Sequence, residues 1–263
     1  MNPVPAVSLV INTFNQPEVL AKALAGVRLQ TRQPDEVLIS DDGSDEPTRK
    51  LVNEFAANST VPARHIWHAH DGFRRTIILN KAIAAATGSY LIFTDGDCVP
   101  HLKFIADHVA LAEKGFWVQG RRCFVREEWV SEFDPGKICA WQWMLAGKIT
   151  GAAKGIRWPI PIVRRDTRQR GIIGCNMAFW RDDLIAVNGF DEEYIGWGGE
   201  DSDIGTRLYH LGRPRKFVYG RAITFHLDHP RLPRDSYPAA LVRLAETIKL
   251  KKVRCKRGLN QYR

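Results

Sequence analysis

Several features that would assign a chain to a class are missing from these 263 residues. No apolar run reaches the roughly 18 residues needed to cross a bilayer, and we see no secretory signal at the start. The five cysteines are odd in number and far apart, and no CxxC pair occurs. We therefore expect reduced thiols in a cytoplasmic protein, with neither a disulfide framework nor a structural zinc site.

Charge is nearly balanced over most of the chain but not at its end. The net charge is +9. Residues 234–263 hold nine Lys/Arg and two acids, so this segment carries +7 and the first 233 residues only +2. We expect a basic C-terminal appendage suited to a phosphate-bearing partner such as an anionic lipid or a nucleic acid.

Strand and helix patterns alternate in the first half of the chain. Proline or glycine marks the helices: one from Pro17 to about Gln30, one from Pro47 to about Ala57, and one closed by Gly88. Between them lie apolar runs typical of buried strands: "AVSLVINT", "EVLISDDGS", "ARHIWH" and "YLIFTD". This alternation predicts βαβ units, a mostly parallel sheet and an α/β fold.

Residues 116–170 show weaker patterns. "FWVQGRRCFV" is interpreted as one strand and "ICAWQWMLAGKI" as a short helix. "KGIRWPIPIVRRDTRQRG" has little periodicity and is interpreted as a long loop or lid, which in a compact domain is often functional.

Polar and acidic residues collect where the best strands end. Asp95 and Asp97 flank Gly96 directly after a buried strand, and "NTFN" and "DDGS" end two others. Ligands of parallel sheets bind beyond the carboxyl ends of the strands. Because neighbouring carboxylates repel, a hard divalent cation such as Mg²⁺ or Mn²⁺ would stabilise them. A simple strand-to-loop turn is the alternative interpretation.

A second acidic cluster, "WGGEDSD", spans Trp197 to Asp203 ahead of a predicted helix. Acids in the first helical turn are stabilised by the helix dipole, which accounts for one or two of them. Alternatively, Trp197 is a platform for a sugar ring and one carboxylate is a general base. The pattern alone leaves both interpretations open.

Four blocks in order resemble the inverting nucleotide-sugar glycosyltransferases of family 2. They are "VSLVINTFNQ", "DDGSDEPT", "DGFRRTIILNKAIAAATGSYLIFTDGDCVP" and "GFDEEYIGWGGEDSDIGTRL", spread over most of residues 6–226. The last block is similar to the acceptor-side motif of β-1,4-galactosyltransferases and chondroitin polymerase-like enzymes. The resemblance implies a GT-A fold, with a Rossmann-like central sheet, flanking helices and an acceptor-binding C-terminal half.

The resemblance also implies three segments. Residues 1–115 would bind the donor, residues 116–233 would bind the acceptor and supply the base, and residues 234–263 would form a basic helix and tail.

On the donor side, the resemblance implies a role for each matching residue. Thr13 and Asn15 would line the nucleotide pocket, and Asp42 would hold the uracil ring. Asp95 would reach the ribose or the metal, and Asp97 would ligate Mn²⁺ or Mg²⁺ on the donor diphosphate. A late histidine usually completes the metal site; His226 fits that place best, with His229 as its rival.

On the acceptor side, Asp201 would be the general base and Glu200 would bind an acceptor hydroxyl. Trp197, Gly198 and Gly199 would complete the acceptor site.

One departure from the family pattern concerns an arginine. Many relatives carry "ARN" or "VRN" in the helix after the "GF" element, whereas this chain has Leu79-Asn80. Arg74 and Arg75 lie one turn earlier and are expected to replace it at the donor phosphates or base.

The implied reaction is attack of an acceptor hydroxyl on the anomeric carbon of a UDP-sugar, with inversion. The sugar would be a hexose or N-acetylhexosamine of the galactose, N-acetylgalactosamine or glucose type. A glycan or lipid-linked glycan would accept it, in bacterial surface polysaccharide or lipopolysaccharide synthesis. No Ser/His or Cys/His pair indicates a nucleophilic residue.

The basic end of the chain leaves two interpretations open. "PAALVRLAETIKLKKVRCKR" places Leu241, Leu244 and Ile248 on one helical face. The helix either packs on the domain or lies on an anionic membrane surface. Two other hypotheses remain: a non-catalytic binding protein for nucleotide sugars or nucleic acid, and a two-metal phosphate-ester hydrolase. The body shows no nucleic-acid motif, so we expect no such partner.

Overall fold

A computed structural model describes residues 4–151, 154–166, 171–229 and 235–263. A large sheet and a small sheet are flanked by helices. The large sheet contains β1 (Val7–Thr13), β2 (Glu36–Asp41), β3 (Ala63–Trp67), β4 (Tyr90–Asp95), β6 (Trp117–Gln119), β9 (Ile162–Asp166), β10 (Asn176–Trp180) and β11 (Arg215–Tyr219). The small sheet contains β5 (Cys98–Pro100), β7 (Arg121–Val125), β8 (Ile149–Thr150) and β12 (Ile223–Leu227).

Eight α-helices lie in the described part of the chain. They are α1 (Pro17–Arg28), α2 (Glu46–Ala57), α3 (Arg75–Ala85), α4 (Phe104–Leu111), α5 (Ala140–Leu145), α6 (Arg181–Ala186), α7 (Glu200–His210) and α8 (Tyr237–Lys249). None of these described helices combines the length and apolar character that a membrane-spanning segment needs.

The large sheet has the strand order β3-β2-β1-β4-β10-β6-β11-β9. The first four strands are parallel, as the βαβ pattern predicts, whereas β10 runs antiparallel to both its neighbours. The sheet continues past residue 115, so the predicted donor and acceptor halves share it. The α/β fold class is confirmed, with a mixed sheet.

Each central strand contains a continuous apolar run, such as Leu9–Ile11 in β1, because helices cover both faces of the sheet. Leu9 and Ile11 pack with α1 and α2, whereas Val10 and Phe93 pack with the α3 side. This alternation follows from the two-residue period of a strand. Fully burying such a side chain stabilises the fold by roughly 1.5–3 kcal/mol.

The segment "FWVQGRRCFV" is not one strand, so that prediction is wrong. It breaks at Gly120 into β6 of the large sheet and β7 of the small sheet. A Cβ at Gly120 would lie 2.2 Å from the Ala222 carbonyl oxygen and 2.5 Å from Oδ1 of Asn176. The chain therefore needs glycine where it passes from one sheet to the other.

The segment interpreted as a loop or lid contains the edge strand β9, which pairs antiparallel with β11. Its apolar residues Ile162 and Val163 are largely exposed, which explains the missing periodicity. Residues 152–153 and 167–170 of this region lie outside the described part. The short helix predicted near residue 140 is confirmed as α5.

The described part of the basic C-terminal segment, residues 235–263, packs against the rest of the domain. α8 packs on α7, where the Thr247 hydroxyl donates to Oδ1 of Asp203 at 2.8 Å. Beyond α8, the side-chain amide of Asn188 donates to the Cys255 carbonyl at 3.0 Å, and Leu259 is buried in the core beside α3.

Candidate active site

A cavity of about 660 Å³ opens where the ends of β1 and β4 face the first turn of α7 and the end of β12. Its walls come from both halves of the chain. Among the residues that line it are Thr13, Arg75, Asp95, Asp97, Trp197, Asp201, His226 and His229.

One wall carries a carboxylate between two imidazoles. Nε2 of His229 lies 2.9 Å from Oδ2 of Asp97, and Nε2 of His226 lies 3.4 Å from the same oxygen. The register of β12 on β5 sets His226 opposite Cys98, the residue that follows Asp97. One ligand atom from each of the three lies within 4.8 Å of the others. The structure therefore brings both candidate histidines to Asp97.

The pKa shifts of Asp97 and His226 suit metal ligands. Burial would raise the pKa of Asp97, but the His229 hydrogen bond and the neighbouring His226 lower it to about 2. Burial lowers the pKa of His226 despite Asp97. Metal ligands must be ionised carboxylates and neutral imidazoles. Oδ1 of Asp97 and Nδ1 of His226 are buried and have no hydrogen-bond partner among the described residues.

Asp95 faces a different group of side chains. Nη2 of Arg75 donates to Oδ1 of Asp95 at 2.6 Å, and Nη1 of Arg75 lies 3.6 Å from Oε1 of Glu200. Burial raises the pKa of Asp95 to about 6, with Arg75 opposing the shift and Asp97 adding to it. Arg75 thus links the two acidic clusters, and Asp95 lies apart from the histidines.

The opposite wall is the first turn of α7. Gly198 and Gly199 precede it with φ of 100° and 91°, a left-handed conformation that glycine adopts without strain. Burial and the neighbouring Asp201 raise the pKa of Glu200 to about 8, although Arg75 opposes the shift. Burial and Asp201 thus favour the neutral, protonated form of Glu200.

Asp201 lines the cavity, and its carboxylate packs against Gly174. Its Oδ1 is buried without a partner among the described residues. A Cβ at Gly174 would lie 2.3 Å from that oxygen, so only glycine leaves room for this carboxylate. Gly174 was not singled out in the sequence, and its one signal is a position in the "GIIGCNM" block.

The Trp197 indole lines the same cavity as Asp201. Its ring is 5.5 Å from the ring of Tyr237, and its backbone oxygen accepts from the Ser236 hydroxyl at 3.1 Å. The start of α8 therefore supports the tryptophan at the rim of the cavity.

Three predicted nucleotide-binding residues do not line the cavity. Asn15 pairs with Asp45, and the Arg74 guanidinium contacts Asp71. Asp42 lies 2.7 Å from Nε2 of His68 and accepts from the backbone N–H of Arg74. Their roles stay predictions, and Phe14 and Gln16 line the cavity instead.

The missing family arginine has a structural explanation. Leu79 is buried in the core beside Phe93 and Phe190, where a guanidinium would be unpaired. Asn80 donates to the Phe190 carbonyl at 2.8 Å, which is a structural role. Of the two arginines one turn earlier, Arg75 reaches the cavity and Arg74 does not.

Sequence reasoning missed two residues at this site, Arg122 and Cys175. Nη1 of Arg122 donates to Sγ of Cys175 at 3.5 Å, and both line the cavity. The signal for Arg122 was present in "GRRCFV", but its place depends on the break at Gly120.

Solved structures with the same architecture are GT-A glycosyltransferases. One is GalNAc-T7 with UDP, GalNAc and Mn²⁺, at a TM-score of 0.65 and 17% identity, with 94% of this chain and 48% of that chain covered. Another is the mannosyltransferase PcManGT from Pyrobaculum calidifontis with GDP-Man and Mn²⁺, at a TM-score of 0.62 and 20% identity. It covers 94% of this chain and 65% of that one. The fold therefore places this chain in the GT-A class.

The chain belongs to glycosyl transferase family 2, whose profile matches residues 8–184. Residues 160–230 also match a profile described as the N-terminal domain of galactosyltransferase. The chain is thus a glycosyltransferase enzyme.

Curated relatives include two polysaccharide synthases. Chondroitin synthase of Escherichia coli is 28% identical over 90% of this chain and 37% of its own length. Hyaluronan synthase of Pasteurella multocida is 26% identical over 85% of this chain and 24% of its own length. Validoxylamine A glucosyltransferase of Streptomyces hygroscopicus subsp. limoneus is 28% identical over 80% of this chain and 49% of its own length. The chain spans between about a quarter and a half of these relatives.

Proposed function

We propose that this chain is a metal-dependent, inverting glycosyltransferase that moves a hexose or N-acetylhexosamine from a UDP-sugar to a glycan hydroxyl. The observation that carries the proposal is one cavity with two unlike walls. Asp97, His226 and His229 form a ligand set on one wall, and the carboxylate of Asp201 lies on the other.

The three residues of the first wall would hold the cation. Two imidazole nitrogens and one carboxylate oxygen favour Mn²⁺ over Mg²⁺, because Mg²⁺ is usually bound by oxygen alone. Once bound, the cation neutralises charge that develops on the departing diphosphate. The two structural neighbours that are complexes with Mn²⁺ support this choice of ion.

The residues of the second wall would handle the acceptor. The Asp201 carboxylate takes the proton from the attacking hydroxyl, and Glu200 in its protonated form donates a hydrogen bond to an acceptor oxygen. Trp197 stacks against a sugar ring of the acceptor, with Gly198 and Gly199 shaping the backbone beside it. Oppositely placed base and leaving group give one displacement with inversion, as in inverting hydrolysis with a sugar hydroxyl replacing water.

The class of donor is inferred from the relatives. They include a chondroitin synthase, a hyaluronan synthase and a glucosyltransferase, and one structural neighbour holds UDP and GalNAc. We propose galactose, N-acetylgalactosamine or glucose as the sugar, and bacterial surface polysaccharide or lipopolysaccharide as the product.

A transfer assay tests the proposal directly. UDP-glucose, UDP-galactose and their N-acetyl forms are incubated with a panel of glycan oligosaccharides with Mn²⁺ or with EDTA. We expect glycan extension from one UDP-sugar only with metal, and a β-linkage by NMR from an α-linked donor. Retention at the anomeric carbon, or equal transfer in EDTA, would overturn the proposal.

The exposed face of α8 supports a membrane contact at the cytoplasmic surface as part of the proposal. Leu241 and Ile248 share one face of α8 and are 43% and 42% exposed, and the neighbouring Val242 is 73% exposed, with several lysines and arginines nearby. Each Lys or Arg close to an anionic surface adds roughly 1 kcal/mol of attraction. We expect sedimentation with vesicles containing phosphatidylglycerol but not with phosphatidylcholine alone, and loss of sedimentation in Val242→Asp. Equal binding of that variant would exclude this face.

The alternative, a non-catalytic protein that binds nucleic acid through its basic segment, makes a different prediction. It requires DNA affinity that falls steeply with salt and no transfer of sugar. We expect no nucleic-acid partner, because residues 250–263 are partly occupied in packing against the body.

A further inference from the structure

Two buried thiols meet behind the floor of the cavity. Cys98 lies in β5 directly after Asp97, and Cys175 directly precedes β10. Their sulfurs lie within 4.8 Å of each other and of a carboxylate oxygen of Asp95. Cys175 lines the cavity and Cys98 does not, so a small reagent in the cavity meets Cys175 first.

The charges around the pair favour oxidation over binding of a soft metal. The Arg122 guanidinium donates to Sγ of Cys175 at 3.5 Å, and both side chains line the cavity. Arg75 is bonded to Asp95 at 2.6 Å. A Zn²⁺ ion on the two sulfurs and Asp95 would have to lie among these two cations, whereas a neutral disulfide would not.

We propose that Cys175 and Cys98 form a peroxide-sensitive dithiol that closes to a disulfide and switches the donor site off. The Cys175 thiolate attacks one oxygen of hydrogen peroxide, giving a sulfenic acid, and the departing hydroxide takes up a proton to become water. The Cys98 sulfur then attacks the sulfenic sulfur, forming the S–S bond and releasing a second water. In sum, two thiols lose two hydrogens and one peroxide becomes two waters.

The disulfide would move both walls of the site. A disulfide bond is about 2.05 Å long, so sulfurs up to 4.8 Å apart must approach by as much as about 2.7 Å. Cys98 adjoins Asp97 and pairs with His226, and Cys175 adjoins Gly174, which lies against Asp201. A misplacement of about 1 Å can cost roughly 100-fold in rate. This consequence rests on the proposed function, whereas bond formation does not.

The first experiment measures the bond alone. The protein in EDTA is treated with hydrogen peroxide, and its intact mass and peptide map are recorded. We expect a loss of two hydrogens, a Cys98–Cys175 linked peptide and reversal by dithiothreitol. Cys98→Ala is expected to gain oxygen at Cys175 instead, and Cys139→Ser, a control at a more exposed thiol, is expected to react as wild type. Oxygen added only at Cys139, with Cys98 and Cys175 unchanged, would overturn the proposal.

The second experiment measures the consequence. Calorimetry compares UDP binding in Mn²⁺ by the reduced, oxidised and re-reduced protein. We expect at least about 10-fold weaker binding after oxidation and full recovery with dithiothreitol. Unchanged binding by the disulfide form would overturn the switch. If even the reduced protein fails to bind UDP, the proposed function is contradicted. The mass measurement still tests whether Cys98 and Cys175 form a disulfide.

Discussion

The two acidic clusters of the cavity both contain largely buried carboxyl groups, but the pKa values of these groups shift in opposite directions. Asp97 lies between His226 and His229, and its pKa is lowered to about 2. Glu200 lies beside Asp201, with one guanidinium 3.6 Å away, and its pKa is raised to about 8. Burial acts in the same direction on both, so the partners decide the outcome.

This difference suits the two walls of the cavity to different chemical roles. A carboxylate kept ionised by imidazoles is a permanent anion and suits a cation. A neutral carboxylic acid beside an unpaired carboxylate suits hydrogen bonding and proton transfer to a hydroxyl. A motif of clustered acids therefore has no single meaning, because its neighbours set which form is present.

The largest expected effect comes from removing the base. Asp201→Asn is expected to lower kcat by at least about 10²–10⁴, the usual contribution of general-base catalysis. Donor binding should stay unchanged, because the other wall is intact; steady-state kinetics and calorimetry measure the two separately. Asp182→Asn, at an exposed acid on α6, is the control. Near-normal turnover of Asp201→Asn would remove this residue from the mechanism.

The next effect concerns the anchoring of the α7 wall. Arg207 is fully buried and donates to Asp203, to the Val187 carbonyl and to the Gly189 carbonyl. Arg207→Met leaves a buried carboxylate without its cation and should cost roughly 3–5 kcal/mol of unfolding free energy. Lys50→Met, at an exposed pair, should cost less than about 1 kcal/mol. Similar urea midpoints for the two variants would contradict this account of α7.

A smaller effect is expected on the metal wall. His229→Ala removes one proposed ligand and should weaken Mn²⁺-dependent UDP binding by at least roughly 10–100-fold, since even losing a supporting partner of a ligand costs that much. His101→Ala, outside this cavity, should bind as wild type. Calorimetry in Mn²⁺ and in EDTA measures both, and equal affinities would show that His229 holds no cation.

The smallest expected effect is a difference between the two clusters in how the free energy of unfolding depends on pH. The pKa of Glu200 is raised from 4.5 to about 8, so the folded state binds this proton more tightly than the unfolded state does. The resulting contribution to the free energy of unfolding is fully present below pH 4.5 and is lost as the pH rises through 8. Glu200→Gln does not titrate. In EDTA, its unfolding free energy relative to wild type should therefore rise by at least about 1 kcal/mol between about pH 5 and pH 9.

Asp97→Asn should show no such rise. The pKa of Asp97 is lowered, so its contribution to stability is present above 3.8 and is lost only as the pH falls through about 2. A parallel pH profile for the two variants would contradict the contrast between the walls.

The sequence predicted the features that depend on local pattern and on strand polarity. The four parallel strands, the helices between them and the polar edge at Thr13, Asp95 and Asp97 follow from apolar runs and βαβ order. The resemblance to family 2 indicated the general site, and the profile match confirms the family.

Features that depend on distant contacts escaped sequence reasoning. The need for glycine at positions 120 and 174 arises from Ala222 and Asp201, which no local pattern connects to them. The choice of Arg75 over Arg74 is set by which face of the helix start meets the cavity. The meeting of Cys98 with Cys175 depends on two different sheets.

The most direct test of the central claim is binding of a UDP-sugar panel followed by thermal stability, with Mn²⁺ or with EDTA. A ligand at about 100 times its dissociation constant stabilises the native state by roughly 2.7 kcal/mol. The account predicts that one UDP-sugar raises the melting temperature only with Mn²⁺, and that His229→Ala loses the rise. A rise that is equal in EDTA, or no rise with any nucleotide sugar, would contradict a metal-held donor at Asp97, His226 and His229.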